Sequence, residues 1–294
     1  MEMVLTSFFL PLIVCASIAF GVTPIVIKYA AKLKIIDDPK NHKHPKVVHS
    51  TPVPRGGGLV IMSALLSGGL LFLPKDTWLY GILAGAAILA GIGFLDDRFE
   101  EQVSPRLRLF LNALAALCVI GVGIGITFVT NPFGGVIRLD TFRYCFEFGG
   151  GPHCINILAS LFALVWLVGL QNIVGWSSGV DGQLPGFVVV AAITMATLTT
   201  RFLGTGDYSA IFSLTLSGIV AGAYLGFLPW NWWPQKIIPG YGGKSLAGFL
   251  LGVLAIISSA KVGALMLVLG VPIVDAAMVI FKRLREKRSP LAGG

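Results

Sequence analysis

The chain of 294 residues is 55% hydrophobic and only 12% charged, with a mean hydropathy of +0.83. Soluble domains carry about a quarter charged residues, so this composition excludes a water-soluble globule and leaves an integral membrane protein. The formal net charge of +8 would suggest nucleic acid in a soluble protein, but here it is tested first against membrane topology.

Apolar stretches of about 20 residues, the length that crosses a bilayer as a helix, recur along the whole chain. They predict nine spans, at 4–27, 57–73, 78–95, 108–130, 155–170, 184–200, 208–228, 245–258 and 262–281. The expected fold is therefore an all-α polytopic membrane protein, a single membrane domain over 1–294. The first segment, Val4 to Ile27, has neither a basic leader nor a small-residue cleavage site and reads as a retained span. With the N-terminus outside, the inner stretches are 28–56, 96–107, 171–183, 229–244 and 282–294. That choice puts 17 of the Lys and Arg residues at the inner face and five outside, the asymmetry of a protein in the cytoplasmic membrane with a cytoplasmic C-terminus.

The outer stretch 131–153 alternates apolar and polar residues in "VIRLDTFRYCFEF", the pattern of a short β-hairpin or an interfacial segment. Cys145 and Cys154 flank "FEFGGGPH" and can pair if they face an oxidising compartment, whereas Cys15 and Cys118 lie in apolar runs.

Every unusual polar cluster falls on the inner side. The first loop reads "DDPKNHKHPKVVHSTPVPRGGG", the second begins with Asp96 and Asp97, the third is "QNIVGWSSGVDGQLPG" and the fourth "WNWWPQKIIPGYGGKS". Taken singly, each has a plain explanation. Paired aspartates at a helix end are often solvated, and "SGVDG" is a turn. Trp230, Trp232 and Trp233 suit an interfacial belt. His42, His44 and His49 lack zinc-ligand spacing. "GGKS" fails the phosphate-loop pattern because Ile238 stands where its first Gly belongs. Asp275, within the last span, needs a partner, and an ion pair with Lys282 or a neighbouring base explains it as well as catalysis does. Taken together, the loops offer carboxylates for Mg²⁺, glycines that let backbone N–H groups approach phosphate, and cations that offset charge in phosphoryl transfer. That set suggests a soluble phosphate compound meeting a membrane-embedded partner.

At these residues the sequence resembles the polyprenyl-phosphate N-acetylhexosamine-1-phosphate transferases. These integral membrane enzymes include phospho-N-acetylmuramoyl-pentapeptide translocase and the undecaprenyl-phosphate N-acetylglucosaminyl-1-phosphate transferases. The resemblance runs from about residue 20 to the C-terminus. Asp38, Pro39, Lys46, His49, Pro54, Arg55, Gly57 and Gly58 match the family's first cytoplasmic loop, with "NHKHP" as a small insertion. "GFLDD" matches its aspartate pair, and Asn172 and Asp181 match the ends of its Asn- and Asp-rich third loop. "VPIVDAAMVIFKRLREKRSP" looks like its penultimate span and basic exit. Four positions depart from the pattern: Gly175 replaces an Asn, Ser178 and Tyr241 replace Asp, and Lys244 replaces a Ser. The family also continues into a His-rich loop beyond "SPLAGG", so either the chain is truncated or those His residues are dispensable here.

The resemblance implies transfer of an N-acetylhexosamine-1-phosphate from a UDP-sugar to polyprenyl (undecaprenyl) phosphate, releasing UMP, as the first membrane step of a cell-envelope glycan pathway. The first loop mildly favours N-acetylglucosamine. The implied catalytic residues are Asp96 and Asp97, with Asp97 and Asp181 as ligands of Mg²⁺. Lys46, His49, Arg55, Asn172, Asp181, Gly240 and Lys244 are the implied substrate-binding residues. Expected partners are the UDP-N-acetylhexosamine, the lipid phosphate and the bilayer, with no nucleic acid and with a homodimer left open. The alternative is a relative that keeps the fold and binds lipid phosphate or nucleotide sugar without turnover.

Overall fold

The computed structural model describes residues 2–38, 51–99, 103–130, 135–148, 151–176, 179–205, 207–258 and 270–285. A single turn, α1 (Glu2–Val4), and a π-helical turn (Leu5–Phe9) run into α2 (Leu10–Leu33). Helices α3 (Gly57–Phe72), α4 (Thr77–Arg98), α5 (Pro105–Gly121), α6 (Ile157–Trp176), α7 (Gln183–Thr199), α8 (Tyr208–Asn231), α9 (Gly240–Ile257) and α10 (Gly270–Arg285) follow.

Local chemistry sets the helix starts. Asp76 accepts from Leu79 N–H at 3.0 Å and opens α4. Ser104 accepts from Leu107 N–H at 3.2 Å and opens α5, whose first residue is Pro105. Asp207 accepts from Ser209 N–H at 2.9 Å before α8. Each satisfies an amide that the helix itself leaves without a partner.

Helices α8 and α9 are the most deeply buried and form the centre of the bundle. Helix α8 packs on α2, α3 and α7, and α9 packs on α3, α4 and α6. Small residues permit the closest approaches: Gly218, Gly222 and Gly226 of α8 lie against the backbone of Phe8, Leu12 and Ala16. Ile13, Leu71, Phe110, Val165 and Val190 point outward on the bundle surface, which suits lipid rather than water.

Among the described residues, six helices are long and apolar enough to cross a membrane: Leu5–Leu33, Thr77–Arg98, Ile157–Trp176, Gln183–Leu203, Tyr208–Asn231 and Gly240–Ile257. Nine full-length spans are thus not borne out. The expected 57–73 is present as the shorter apolar helix α3 of 16 residues. The expected 108–130 ends early. The chain leaves α5 at Gly121, turns through Gly123 at φ +89°, and becomes extended in β3 (Phe128–Thr130). Alternating glycines in "GVGIG" weaken the helix, and the β-branched "ITFVT" favours a strand. Only the second half of 262–281 is described, as α10.

The outer segment forms two ribbons rather than one. β3 pairs antiparallel with β4 (Val136–Arg138), and β5 (Arg143–Phe148) pairs antiparallel with β6 (Gly151–Asn156). The second register sets Cys145 opposite Cys154, and Cys145 is disulfide-bonded. Cys15 and Cys118 are free thiols, as their apolar settings suggest.

Candidate active site at the α9 N-terminus

The loops gather at one end of the bundle because glycines let three helices touch there. The backbone around Gly242 of α9 lies against Gly58 of α3 and Gly93 of α4, and a Cβ at either of those positions would run into α9 backbone. Tyr224 Oη donates to Gly243 C=O at 2.7 Å and fixes α9 against α8. Gly248 meets the backbone of Leu170 and Gln171, which brings in the end of α6.

Backbone pairing joins the first and fourth loops. β1 (Ile36–Asp37) runs antiparallel to β2 (Val53–Pro54). Arg55 then bridges Ile238 in parallel, Ile238 N–H donates to Pro54 C=O at 2.8 Å, and Gly57 N–H donates to Ile238 C=O at 3.2 Å. Arg55 is held by Asp37, Nη2 to Oδ2 at 2.7 Å, with the carboxylate only 5% exposed. Sequence reasoning matched Asp38 to the first-loop motif and did not single out Asp37.

Asp97, near the end of α4, meets the start of α9. Its Oδ1 accepts from Tyr241 N–H at 3.0 Å. Pro239 precedes α9 without a side-chain cap, so a carboxylate from another helix fills that role. The residue between, Gly240, has φ +65°, and a Cβ there would strike the Asp97 carboxylate. The charges that act on half-buried Asp97 are Arg55, Asp96 and Lys244. Four residues expected from sequence (Arg55, Asp97, Gly240 and Lys244) therefore stand together, and Asp96 adjoins them by covalent connection.

Asp96 faces elsewhere. It is 6% exposed, and its Oδ1 lies 2.5 Å from Arg108 Nε on α5. The Arg108 guanidinium also sits 5.3 Å from the Tyr241 ring centre, and Tyr241 Oη donates to Asn112 Oδ1 at 3.2 Å. Sequence reasoning missed Asn112 and counted Arg108 only as a topological charge. Their spacing of four on one helix face was the signal available.

The third loop is attached by a different anchor. Gly182 N–H donates to Asn231 Oδ1 at 3.1 Å, and Asn231 Nδ2 donates to Ile237 C=O at 2.9 Å. Asn231 is 2% exposed and ties the third loop, including half-buried Asp181, to the fourth. Asn172 turns back on its own helix, Nδ2 donating to Val168 C=O at 2.7 Å. Gly175 is open on the side facing α9, where an added Cβ would come 3.9 Å from Lys244 Cβ. Trp232 and Trp233 are largely exposed, and Trp230 lies under Lys236 Nζ at 5.3 Å, as an interfacial belt would be. Lys46, His49 and Ser178, and the side chain of Asp275, lie outside the described residues.

A helix N-terminus lined with glycine, carrying one carboxylate and flanked by Arg55 and Lys244, can receive phosphate groups. Its amides and dipole favour anions, and the carboxylate can take a divalent ion or a proton.

The profile describing glycosyl transferase family 4 matches residues 79–259. A probable undecaprenyl-phosphate N-acetylglucosaminyl 1-phosphate transferase of Bacillus subtilis is 29% identical over 274 residues, covering 91% of this chain and 69% of that protein. A phospho-N-acetylmuramoyl-pentapeptide-transferase of Chlamydia muridarum is 28% identical over 254 residues, covering 80% and 71%. A decaprenyl-phosphate N-acetylglucosaminephosphotransferase of Mycobacterium tuberculosis is 28% identical over 306 residues, covering 93% and 70%.

Proposed function

Because the chain belongs to glycosyl transferase family 4, we propose that its site at the α9 N-terminus transfers a sugar-1-phosphate from a UDP-sugar to polyprenyl phosphate. N-acetylglucosamine-1-phosphate is the favoured group, since the names of several relatives specify it. A phosphate oxygen of the lipid attacks the sugar-bearing phosphorus of the donor. The bond from that phosphorus to the bridging oxygen breaks, UMP leaves with the electron pair, and a lipid diphosphosugar forms.

Phosphoryl transfer asks a protein chiefly for positioning and charge stabilisation. The α9 amides, Arg55 and Lys244 would bind and orient the phosphates, together with Lys46 and His49 from the first loop. Asp97, fixed by Tyr241 N–H, would present its carboxylate to the reacting groups, and Asp181 would approach from the third loop.

Mg²⁺ is the expected cofactor. Among the described residues no three His, Cys, Asp or Glu side chains come together as a protein cage. Mg²⁺ seldom needs one. It keeps several waters and takes one or two carboxylates plus substrate phosphates. Asp97, whose second oxygen lies beside Gly240, fits that limited role, with Asp181 as the other candidate. When bound, the ion would supply charge neutralisation to the diphosphate.

Asp97 docked on the N-terminus of α9, with the charges of Arg55 and Lys244 acting on it, is the observation that carries this reading. The test is purified protein with radiolabelled UDP-N-acetylglucosamine and undecaprenyl phosphate, with and without Mg²⁺, followed by lipid extraction. Labelled lipid that depends on both substrates is the expected result. Nucleotide sugar that binds without forming lipid product would support the binding-only alternative instead.

A further inference from the structure

We infer that the two adjacent aspartates have separate jobs, and that Asp96 is a positioning residue acting through Arg108 and Tyr241 rather than a carboxylate that meets substrate. This rests on the transferase reading of the same site.

Helix geometry supplies the first reason. Successive side chains on a helix diverge by about 100°, so neighbours in the last turn of α4 cannot both face α9. Asp97 faces α9 and accepts from Tyr241 N–H, while Asp96 faces α5 and pairs with Arg108. Burial supplies the second. The Asp96 side chain is 8% exposed and that of Arg108 29%, so substrate would have to break a sheltered ion pair to reach Asp96.

The third reason is where Arg108 leads. A cation in the first turns of a helix opposes the helix dipole, so its place on α5 needs partners elsewhere. Arg108 has Asp96 on one side and the Tyr241 ring on the other, 5.3 Å from its guanidinium carbon. One turn further along α5, Asn112 receives the Tyr241 hydroxyl at 3.2 Å, and its own C=O accepts from Gln171 Nε2 at 3.4 Å. The Tyr241 side chain is thus gripped at ring and hydroxyl by one face of α5. The backbone N–H of the same residue holds Asp97. The ion pair also offsets the repulsion that two adjacent carboxylates would otherwise exert on each other.

The test compares Asp96→Asn, Arg108→Gln and the double variant in purified protein, with kcat, KM for each substrate and thermal stability measured. Each single change leaves one charge without its partner and should lower kcat while KM stays within about threefold. The double change removes both charges, so it should recover at least about tenfold in kcat over Asp96→Asn. A folded double variant no more active than Asp96→Asn overturns the inference, because a carboxylate that meets substrate cannot be rescued by neutralising its neighbour. If the double variant does not fold, Tyr241→Phe decides. It keeps the ring and the N–H but loses the hydroxyl to Asn112, and it should lower kcat several-fold at constant KM. Unchanged kcat in that variant overturns the inference. Should the wild-type protein form no lipid product, the transferase reading fails and takes this one with it. If wild-type turnover is present and rescue is absent, only the division of labour fails.

Discussion

The backbone N–H of Tyr241 donates to Asp97 Oδ1 at 3.0 Å, so a carboxylate on α4 caps a helix through a residue that lies 144 positions later in the chain. Capping and charge can be separated at this bond. Asn keeps an accepting oxygen and loses the charge, whereas Ala loses both. Asp97→Asn should insert and fold like the parent yet lose turnover by at least about 100-fold, the scale of a lost transition-state electrostatic contact. Asp97→Ala should in addition be destabilised by about 0.5–2 kcal/mol, as for a lost N-cap. Lipid-product assays beside detergent melting curves measure both. Turnover above a tenth of wild type in Asp97→Asn would show that the Asp97 charge is not used.

Gly240 is required for a different reason. Its φ of +65° is a backbone conformation that side chains resist, and the missing Cβ leaves room for the Asp97 carboxylate. Gly240→Ala should cost about 1–2 kcal/mol in stability from the left-handed backbone alone. It should also displace Asp97 and cut kcat by about tenfold or more. Gly91 on α4 has open space where a Cβ would go, so Gly91→Ala serves as the control and should match wild type in both assays.

Asn231 should act on the third loop without touching the first two. It accepts from Gly182 N–H and donates to Ile237 C=O, both in buried surroundings. Asn231→Ala leaves those groups without partners, at about 1–3 kcal/mol each before relaxation. The loop that carries Asp181 then loses its anchor to the fourth loop. A raised KM for the nucleotide sugar with smaller change in KM for the lipid phosphate is expected from initial-rate kinetics. Equal changes in both would indicate a general loosening of the α8 end rather than a role for the third loop.

The spans were legible in the sequence wherever apolar length and flanking charge agreed, as in α4, α8 and the core of α9. They were misread at 108–130, where apolar composition could not distinguish a helix from the turn and strand that follow Gly123. Asp97, Gly240, Arg55 and Lys244 were legible because residue type and local pattern mark them. Asp37, Asn112 and Asn231 were not. Asp37 finds Arg55 within its own loop only once β1 pairs with β2, while Asn112 and Asn231 are ordinary polar residues whose roles come from partners far along the chain: Asn112 meets Tyr241, and Asn231 meets Gly182. The divergent directions of Asp96 and Asp97 follow from helix period alone. Which neighbour each would meet depended on the packing of α5 and α9.

The side of the membrane on which this site opens is the remaining premise, and it rests on the distribution of Lys and Arg. Labelling can test it with two exposed positions at opposite ends of the bundle. Arg98 follows Asp97 at the end of α4, and Val136 lies on the β4 ribbon, 53% exposed. Of the native thiols, Cys15 is buried and Cys118 half-buried, so background labelling should be low, and Cys145 should react only after reduction. In intact cells a membrane-impermeant maleimide should label Val136→Cys at once and Arg98→Cys only after permeabilisation. Nucleotide sugars are made in the cytoplasm, so the reverse pattern would place Asp97, Arg55 and Lys244 where no UDP-sugar reaches them. That outcome would sink the proposed reaction even with the fold and the α9 site intact.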